Sequence, residues 1–332
     1  SICLGQNKDV EVSPWSGSGM NERADLSQPS FSIAAVERDT GLPKDTLRVW
    51  EKRYNFPQPG RDSFGERIYS IDQVEKLRVI KRLLDGGHRP GKIIGLSIDE
   101  LVKLAEVSSA GTRMNVAPDS LDELNGYMEL IKRHDAEEFR QTMSRLALTM
   151  GLRRFVVEVV APLNAMVGDA WARGYFEIFE EHIYTETIQV VLRNALNTIP
   201  STRKGPRVLL TTLPNELHGL GLLMAECIFS MEGAQCVSLG TQTPTYDIVL
   251  AARAQNINIV ALSFSVIQSS PAVLEAVAEL REKLPPMVEI WCGGSSTALR
   301  KKPSEDFVLL SSLESISESI ADWRLRNKFN QQ

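Results

Sequence analysis

Arg207-Val208-Leu209-Leu210-Thr211-Thr212-Leu213-Pro214-Asn215-Glu216-Leu217-His218-Gly219-Leu220-Gly221 is the stretch on which the reading of this chain turns. Its first six residues form a short strand-like run, and a carboxylate, a histidine and a glycine follow on the next loop. In open α/β sheets, ligands gather outside the carboxyl ends of the strands. A carboxylate two residues before a histidine can fix its tautomer, an arrangement that suits a metal ligand. From Gly205 onward strand and helix alternate, with strands expected near 207–212, 235–240, 259–265, 288–293 and 307–311. The alternation predicts an α/β flavodoxin-like doubly wound parallel sheet of five strands over residues 203–326.

Two further loops on the same sheet edge carry matching signals: Ser263-Phe264-Ser265 after the third strand, and Cys292-Gly293-Gly294-Ser295-Ser296 after the fourth. Forty-one residues separate Gly221 from Ser263, and 27 separate Ser265 from Gly293. This order and spacing resemble the cobalamin-binding signature Asp-x-His-x-x-Gly, Ser-x-Leu, Gly-Gly of corrinoid-dependent proteins. Leu239-Gly240-Thr241-Gln242-Thr243-Pro244 is similar to that family's second-strand loop. The resemblance implies cobalamin, as adenosylcobalamin or another form, held base-off with His218 as the lower cobalt ligand. It also implies a channel for the nucleotide tail beside Gly221, Ser263, Ser265, Gly293 and Gly294, with Thr241 and Thr243 on the neighbouring loop. Two residues depart from the signature. Glu216 stands where most corrinoid enzymes carry Asp, keeping the carboxylate, and Ser265 stands where the signature has Leu.

Outward from the sheet, residues 119–200 read almost entirely as helix, interrupted near Gly151, Pro162 and Gly174. Leu146 with Met150, then Val156, Val160, Leu163 and Val167, recur at three-to-four spacing and describe a four-helix bundle. On spacing alone Trp171 is a core tryptophan and His182 a surface histidine. Trp171 and the pair Glu181-His182, on either side of Arg173-Gly174, nevertheless resemble the cap over the reactive cobalt face in the CarH/LitR-like photoreceptor group. In that group a histidine able to capture cobalt after light has expelled the adenosyl group follows the tryptophan. Here that position is Ala172, which has no donor atom, so a bis-histidine photoproduct through it is excluded and His182 is the nearby substitute.

The region 31–103 reads differently. Ser32 can cap a helix carrying Ile33, Ala34 and Val36, Gly41 ends it, and Pro43 opens a second helix through Leu47, Val49 and Trp50. Two short helices with a tight glycine turn make a helix-turn-helix. Pro57 to Ser70 places turn formers around a short strand, as in a wing, and Asp72 to Leu84 gives another helix that Gly86-Gly87 ends. Ser32-Ile33-Ala34-Ala35-Val36, Thr40-Gly41-Leu42, Thr46 to Tyr54 and Arg67-Ile68-Tyr69-Ser70 resemble the MerR-type winged-helix DNA-binding domain. The resemblance implies double-stranded operator DNA as partner, with Lys44, Thr46, Arg48, Arg53, Arg61, Arg67 and Tyr69 as contacts. Phe31, Val36, Leu47, Trp50 and Leu77 are expected in the core. It also implies a homo-oligomer, dimer or tetramer. The candidate dimer helix here is short, so residues 104–118 read as a linker and oligomerisation is expected elsewhere in the chain.

Composition fits this division. Between Phe31 and Lys92 there are 13 Lys and Arg against 9 Asp and Glu, in a chain of net charge −5, which points to an anionic polymer as partner of that module alone. Cys3, Cys227, Cys236 and Cys292 are too scattered for a zinc cluster or a disulfide framework, and a reducing cytoplasm is expected. No apolar run approaches the ~20 residues that span a bilayer, so no membrane partner is expected. Residues 1–30 read as a disordered tail, with Met20 as a natural start after Ser16-Gly17-Ser18-Gly19. The combined reading is a multidomain regulator, not an enzyme, that senses cobalamin, with light cleavage of an upper cobalt–carbon bond changing oligomer and operator affinity. The competing readings are a regulator of the same fold that works without cobalamin, and a corrinoid enzyme or methyl carrier.

Overall fold

A computed structural model describes residues 30–85, 88–109, 118–200, 205–265, 270–294, 299 and 304–328. The expected tail (apart from Ser30), Gly86-Gly87, most of the 104–118 linker and Ser295-Ser296 lie outside the described residues.

In the head, α1 (Ile33–Thr40) starts where the Ser32 hydroxyl accepts the Ala35 N–H at 3.2 Å, and stops where Gly41 turns left-handed at φ 68. Pro43 then leads into α2 (Lys44–Tyr54), and α3 is the longer helix Ile71–Asp85. Strands β1 (Ser30–Ser32), β2 (Gly60–Arg61) and β3 (Arg67–Ser70) form an antiparallel sheet of order β1-β3-β2, and β2 and β3 make the wing. Val36, Leu47, Trp50 and Leu77 are buried as expected and Phe31 packs against them. Helices α4 (Pro90–Ile93) and α5 (Ile98–Ser109) follow, and α5 folds back against α3. Leu101 of α5 is buried in the head's core, and the helix runs on to Ser109, past the expected start of the linker.

The bundle comprises α6 (Pro118–Lys132), α7 (Ala136–Met150), a third helix in three parts and α10 (Ile178–Leu196). The parts are α8 (Leu152–Arg154), a π-helical turn (Phe155–Val160) and α9 (Ala161–Ala172). Gly151 and Gly174 interrupt the helices as expected, but Pro162 does not. A proline inside a regular α-helix removes one hydrogen bond and clashes with the preceding turn. The wider π turn immediately before Pro162 relieves that conflict, so the helix carries on into α9.

Beyond it, β4 (Arg207–Thr211), α11 (Leu220–Met231), β5 (Gln235–Gly240), α12 (Thr245–Ala254), β6 (Ile259–Phe264), α13 (Ser270–Lys283), β7 (Glu289–Gly294), β8 (Val308–Leu309) and α14 (Ser315–Lys328) alternate. The strands are parallel in the order β5-β4-β6-β7-β8, the flavodoxin-like order. Because β5 and β6 lie on opposite sides of β4, the loops after β4 and β6 diverge and leave a crevice at the sheet's carboxyl edge. One core joins the bundle to the sheet face under α11 and α14, and a second core fills the face under α12 and α13. The bundle is thereby fixed over the sheet, with α10 packed on α11.

Candidate cofactor and DNA-binding sites

The loop after β4 is built around one carboxylate. Glu216 is 1% exposed, and its Oε1 accepts from Nδ1 of His218 at 2.7 Å and from the His218 backbone N–H at 3.1 Å. Its Oε2 accepts the Ser265 backbone N–H, from the loop after β6, at 2.8 Å. Burial pushes this carboxyl up, but the bonds from His218 and Ser265 outweigh it and hold the group at about 2. An ionised carboxylate can only accept, so Nδ1 of His218 is the donor, and in the neutral ring Nε2 carries the lone pair. The His218 side chain is 58% exposed. It stands at the edge of the crevice with its tautomer set from beneath.

Two threonines that the sequence reading placed in the strand, and not in the site, tie these loops together. The Thr212 hydroxyl donates to the Glu216 carbonyl at 2.7 Å and accepts the Gln242 N–H at 2.8 Å, and the Thr211 and Thr243 hydroxyls meet at 2.7 Å. Both lie in the apolar run that ends at the carboxyl edge, and that position was the available signal. The glycines of the loops divide by environment. A Cβ on Gly221 would come 3.3 Å from the Ser263 hydroxyl, and one on Gly219 would come 3.1 Å from Thr241. Gly294, at φ 104, would drive a Cβ to 2.1 Å from the Phe264 carbonyl oxygen, whereas Gly293 meets only Leu310 at 3.6 Å. A cleft of about 210 Å³ opens beside this loop, lined by Gln189 and Arg193 of α10, Leu217, Gly219, Glu226 and Thr241. A larger groove of about 420 Å³ lies in the head near Tyr54, Phe56 and Lys76, away from His218.

On the bundle side, Nδ1 of His182 contacts Oε2 of Glu181 at 2.7 Å, and Oε1 of Glu181 accepts from the Thr185 hydroxyl at 2.6 Å. Trp171 packs at the rim of the bundle core and meets Arg82 of α3, whose guanidinium lies 5.5 Å from the indole centroid. The sheet residues Glu216, His218, Ser265, Gly221, Ser263, Thr241 and Thr243 are thus brought together through hydrogen bonds and close approaches. Trp171, Glu181 and His182 belong to a separate group on α9 and α10. Among the described residues no group of three or more His, Cys, Asp and Glu side chains is placed to hold a metal ion. A single imidazole with a fixed tautomer beside glycine-lined space fits a metal that arrives already chelated, as cobalt does in cobalamin, and does not fit a bare ion.

The head presents its own surface. Arg48 and Arg53 of α2 and Arg61 of the wing are exposed, and Lys44 and Thr46 are partly so. Lys44 pairs with Glu37 at 3.3 Å, Arg48 with Asp45 at 3.0 Å, and half-buried Arg67 with Glu51 at 2.9 Å. Tyr69 corrects the sequence reading. It is completely buried, opposite Phe31 in the β1–β3 register, and its hydroxyl is enclosed without a partner among the described residues. It supports the wing from inside and does not lie on a DNA-facing surface.

Residues 31–98 match the MerR HTH family regulatory proteins, and residues 123–195 match the B12 binding domain. The two matches fall on separate parts of the chain, the first on the head and the second on the helical bundle. It is homologous to the HTH-type transcriptional repressor CarH of Myxococcus xanthus, with 25% identity over 280 residues, 82% of this chain and 91% of that protein. It is likewise homologous to the repressor CarA of Myxococcus xanthus, with 27% identity over 236 residues, 71% of this chain and 76% of that protein. The solved monomethylamine corrinoid protein of Methanosarcina barkeri overlays 58% of this chain and 94% of its own at TM-score 0.48 and 12% identity. No helix among the described residues is long and apolar enough to cross a membrane.

Proposed function

We propose that this MerR-type B12-binding protein is a transcriptional regulator, not an enzyme, that binds operator DNA through its head and senses cobalamin through its bundle and sheet. The observation that carries the cofactor half is the buried Glu216 locking the His218 tautomer at the crevice. His218 would be the lower ligand, base-off. Gly221, Ser263, Ser265, Gly293 and Gly294 would border the nucleotide tail, with Thr241 and Thr243 alongside. Trp171, Glu181 and His182 would face the upper side. When bound, cobalamin supplies a cobalt whose upper bond is cleaved by light or exchanged with other ligands. The protein's own part is to hold the His218 ring with Nδ1 bonded to Glu216, to exclude the tail from water, and to keep bundle and sheet in one packed unit. A change in that packing would alter the homo-oligomer that sets two heads in register on DNA. Regulation by light is the finer half of this proposal, since Ala172 offers no donor above the metal.

The DNA half rests on Lys44, Thr46, Arg48, Arg53, Arg61 and Arg67 around α2 and the wing. Operator affinity is expected to fall steeply with salt, by roughly 0.9 in log–log slope per phosphate neutralised. Arg61→Ala or Arg48→Ala, measured by fluorescence anisotropy across a salt series, is expected to reduce the slope by about that amount. An unchanged slope in both would remove these residues from the DNA face. The cofactor half is tested separately, by whether hydroxocobalamin stays with the protein through desalting.

A further inference from the structure

The head packs on the bundle through α3 and α5 against α9, and a buried cation lies in that contact. Arg82 lies on α3 and is 7% exposed. Its guanidinium sits over the Trp171 ring at 5.5 Å, and no ion pair or hydrogen bond to it is found among the described residues. A buried guanidinium stays charged and ordinarily takes a carboxylate partner. Here its surroundings are the indole face, the backbone at Gly174 and the charge of Glu177. A Cβ on Gly174, at φ 75, would fall 2.9 Å from Nη1 of Arg82, so the glycine is what lets the guanidinium approach the turn. Burial pushes Arg82 down, Glu177 opposes that, and Arg78 adds to it.

The same helix face runs back to the helix-turn-helix. Arg78, one turn before Arg82, binds Asp39 of α1 through two bonds of 2.7 Å and also feels the charge of Glu177. Asp39, Arg78, Glu177, Arg82 and Trp171 therefore form a continuous line from the DNA-reading helices to the turn between α9 and α10. Trp171 lies at the end of α9, Gly174 and Glu177 lie in that turn, and Glu181-His182 follow one helical turn later.

From this juxtaposition we propose that Arg82 is a positioning residue of the cofactor site supplied by the DNA head, holding Trp171 through a cation–π stack that links cobalamin occupancy to head docking. A cofactor whose upper group packs on Trp171 competes for, or presses on, the ring that Arg82 holds. Occupancy and DNA binding then change each other's affinity by one common factor. The inference rests on the cobalamin reading given above.

The test uses Arg82→Met in the full chain, which keeps the apolar stem and removes the charge. In the cofactor-free protein, amide exchange over the turn from Trp171 to Glu177 is expected to rise about tenfold while that of α7 stays unchanged. Operator affinity is then measured in the dark with and without adenosylcobalamin. The wild-type ratio is expected to differ from one by at least about fivefold and the Arg82→Met ratio to fall within about twofold of one. Adding Arg82→Met to Trp171→Leu is expected to change neither readout further, because the stack is already gone. Equal exchange and equal ratios in wild type and Arg82→Met would overturn the inference while leaving cobalamin sensing intact. Wild-type protein that retains no cobalamin would overturn the cofactor reading and this inference together.

Discussion

Two glutamate–histidine pairs, one on the loop after β4 and one on α10, show the same 2.7 Å contact between carboxylate and Nδ1. Under the sheet edge, Glu216 is 1% exposed and is bonded by two loops. On the bundle, Glu181 is 32% exposed and its other oxygen meets only the neighbouring Thr185 of its own helix. The distance is identical and the consequence is not. A desolvated carboxylate with several donors fixes a ring rigidly and resists protonation, whereas an exposed pair within one helix shares its charge with water and contributes little to stability. The sheet-edge pair holds one imidazole in one tautomer. The bundle pair is free to rearrange, and the nearby Trp171 is already engaged by Arg82 of the head.

Substitutions break that comparison in graded steps. Glu216→Gln is expected to weaken cobalamin affinity roughly 10–100-fold and to remove about 3 kcal/mol of stability at neutral pH, the magnitude corresponding to a carboxyl held at about 2 against its ordinary value of 4.5. Because the folded-state value is the depressed one, this stability is fully present above about 4.5 and is lost as pH falls toward 2. Denaturant titrations between those limits should show a loss in wild type that the Gln variant lacks. Gly294→Ala comes next, at about 3 kcal/mol or more by thermal or urea unfolding, since its Cβ would meet the Phe264 carbonyl at 2.1 Å. Gly293→Ala, one residue away with only an ordinary contact, should cost less than about 1 kcal/mol. Glu181→Gln is the smallest, expected within about 0.5 kcal/mol. A loss at Glu181 as large as that at Glu216 would erase the distinction between the two pairs.

The parts legible in the sequence were those encoded locally. The strand and helix alternation after Gly205 follows from short apolar runs and turn formers, and Ser32 and Gly41 mark the ends of α1 by their own chemistry. Glu216 beside His218 was legible because the partners are two residues apart. What escaped notice depends on distant chain. Tyr69 and Arg67 alternate onto the same side of a four-residue strand, yet one end of that strand lies over the core and the other beside Glu51 of α2, so one ring is enclosed and one guanidinium stays at the surface. Pro162 reads as a break until the π turn before it is known. The return of α5 onto α3, and the Arg82–Trp171 stack between residues 89 apart in sequence, are set by the packing of whole helices and leave no local pattern. The backbone bond from Ser265 to Glu216 belongs in the same class, because no side-chain identity announces it.

The most direct measurement is the visible spectrum of full-length protein after incubation with hydroxocobalamin and adenosylcobalamin in the dark, desalting, and then illumination, for wild type beside His218→Ala. The account predicts that wild type retains cobalamin in stoichiometric amount with a spectrum shifted from that of the free cofactor. It predicts that His218→Ala, still folded by circular dichroism, loses affinity by more than about 100-fold. Retention by His218→Ala equal to wild type, or no retention by either, would contradict the assignment of His218 as the residue that holds the cofactor.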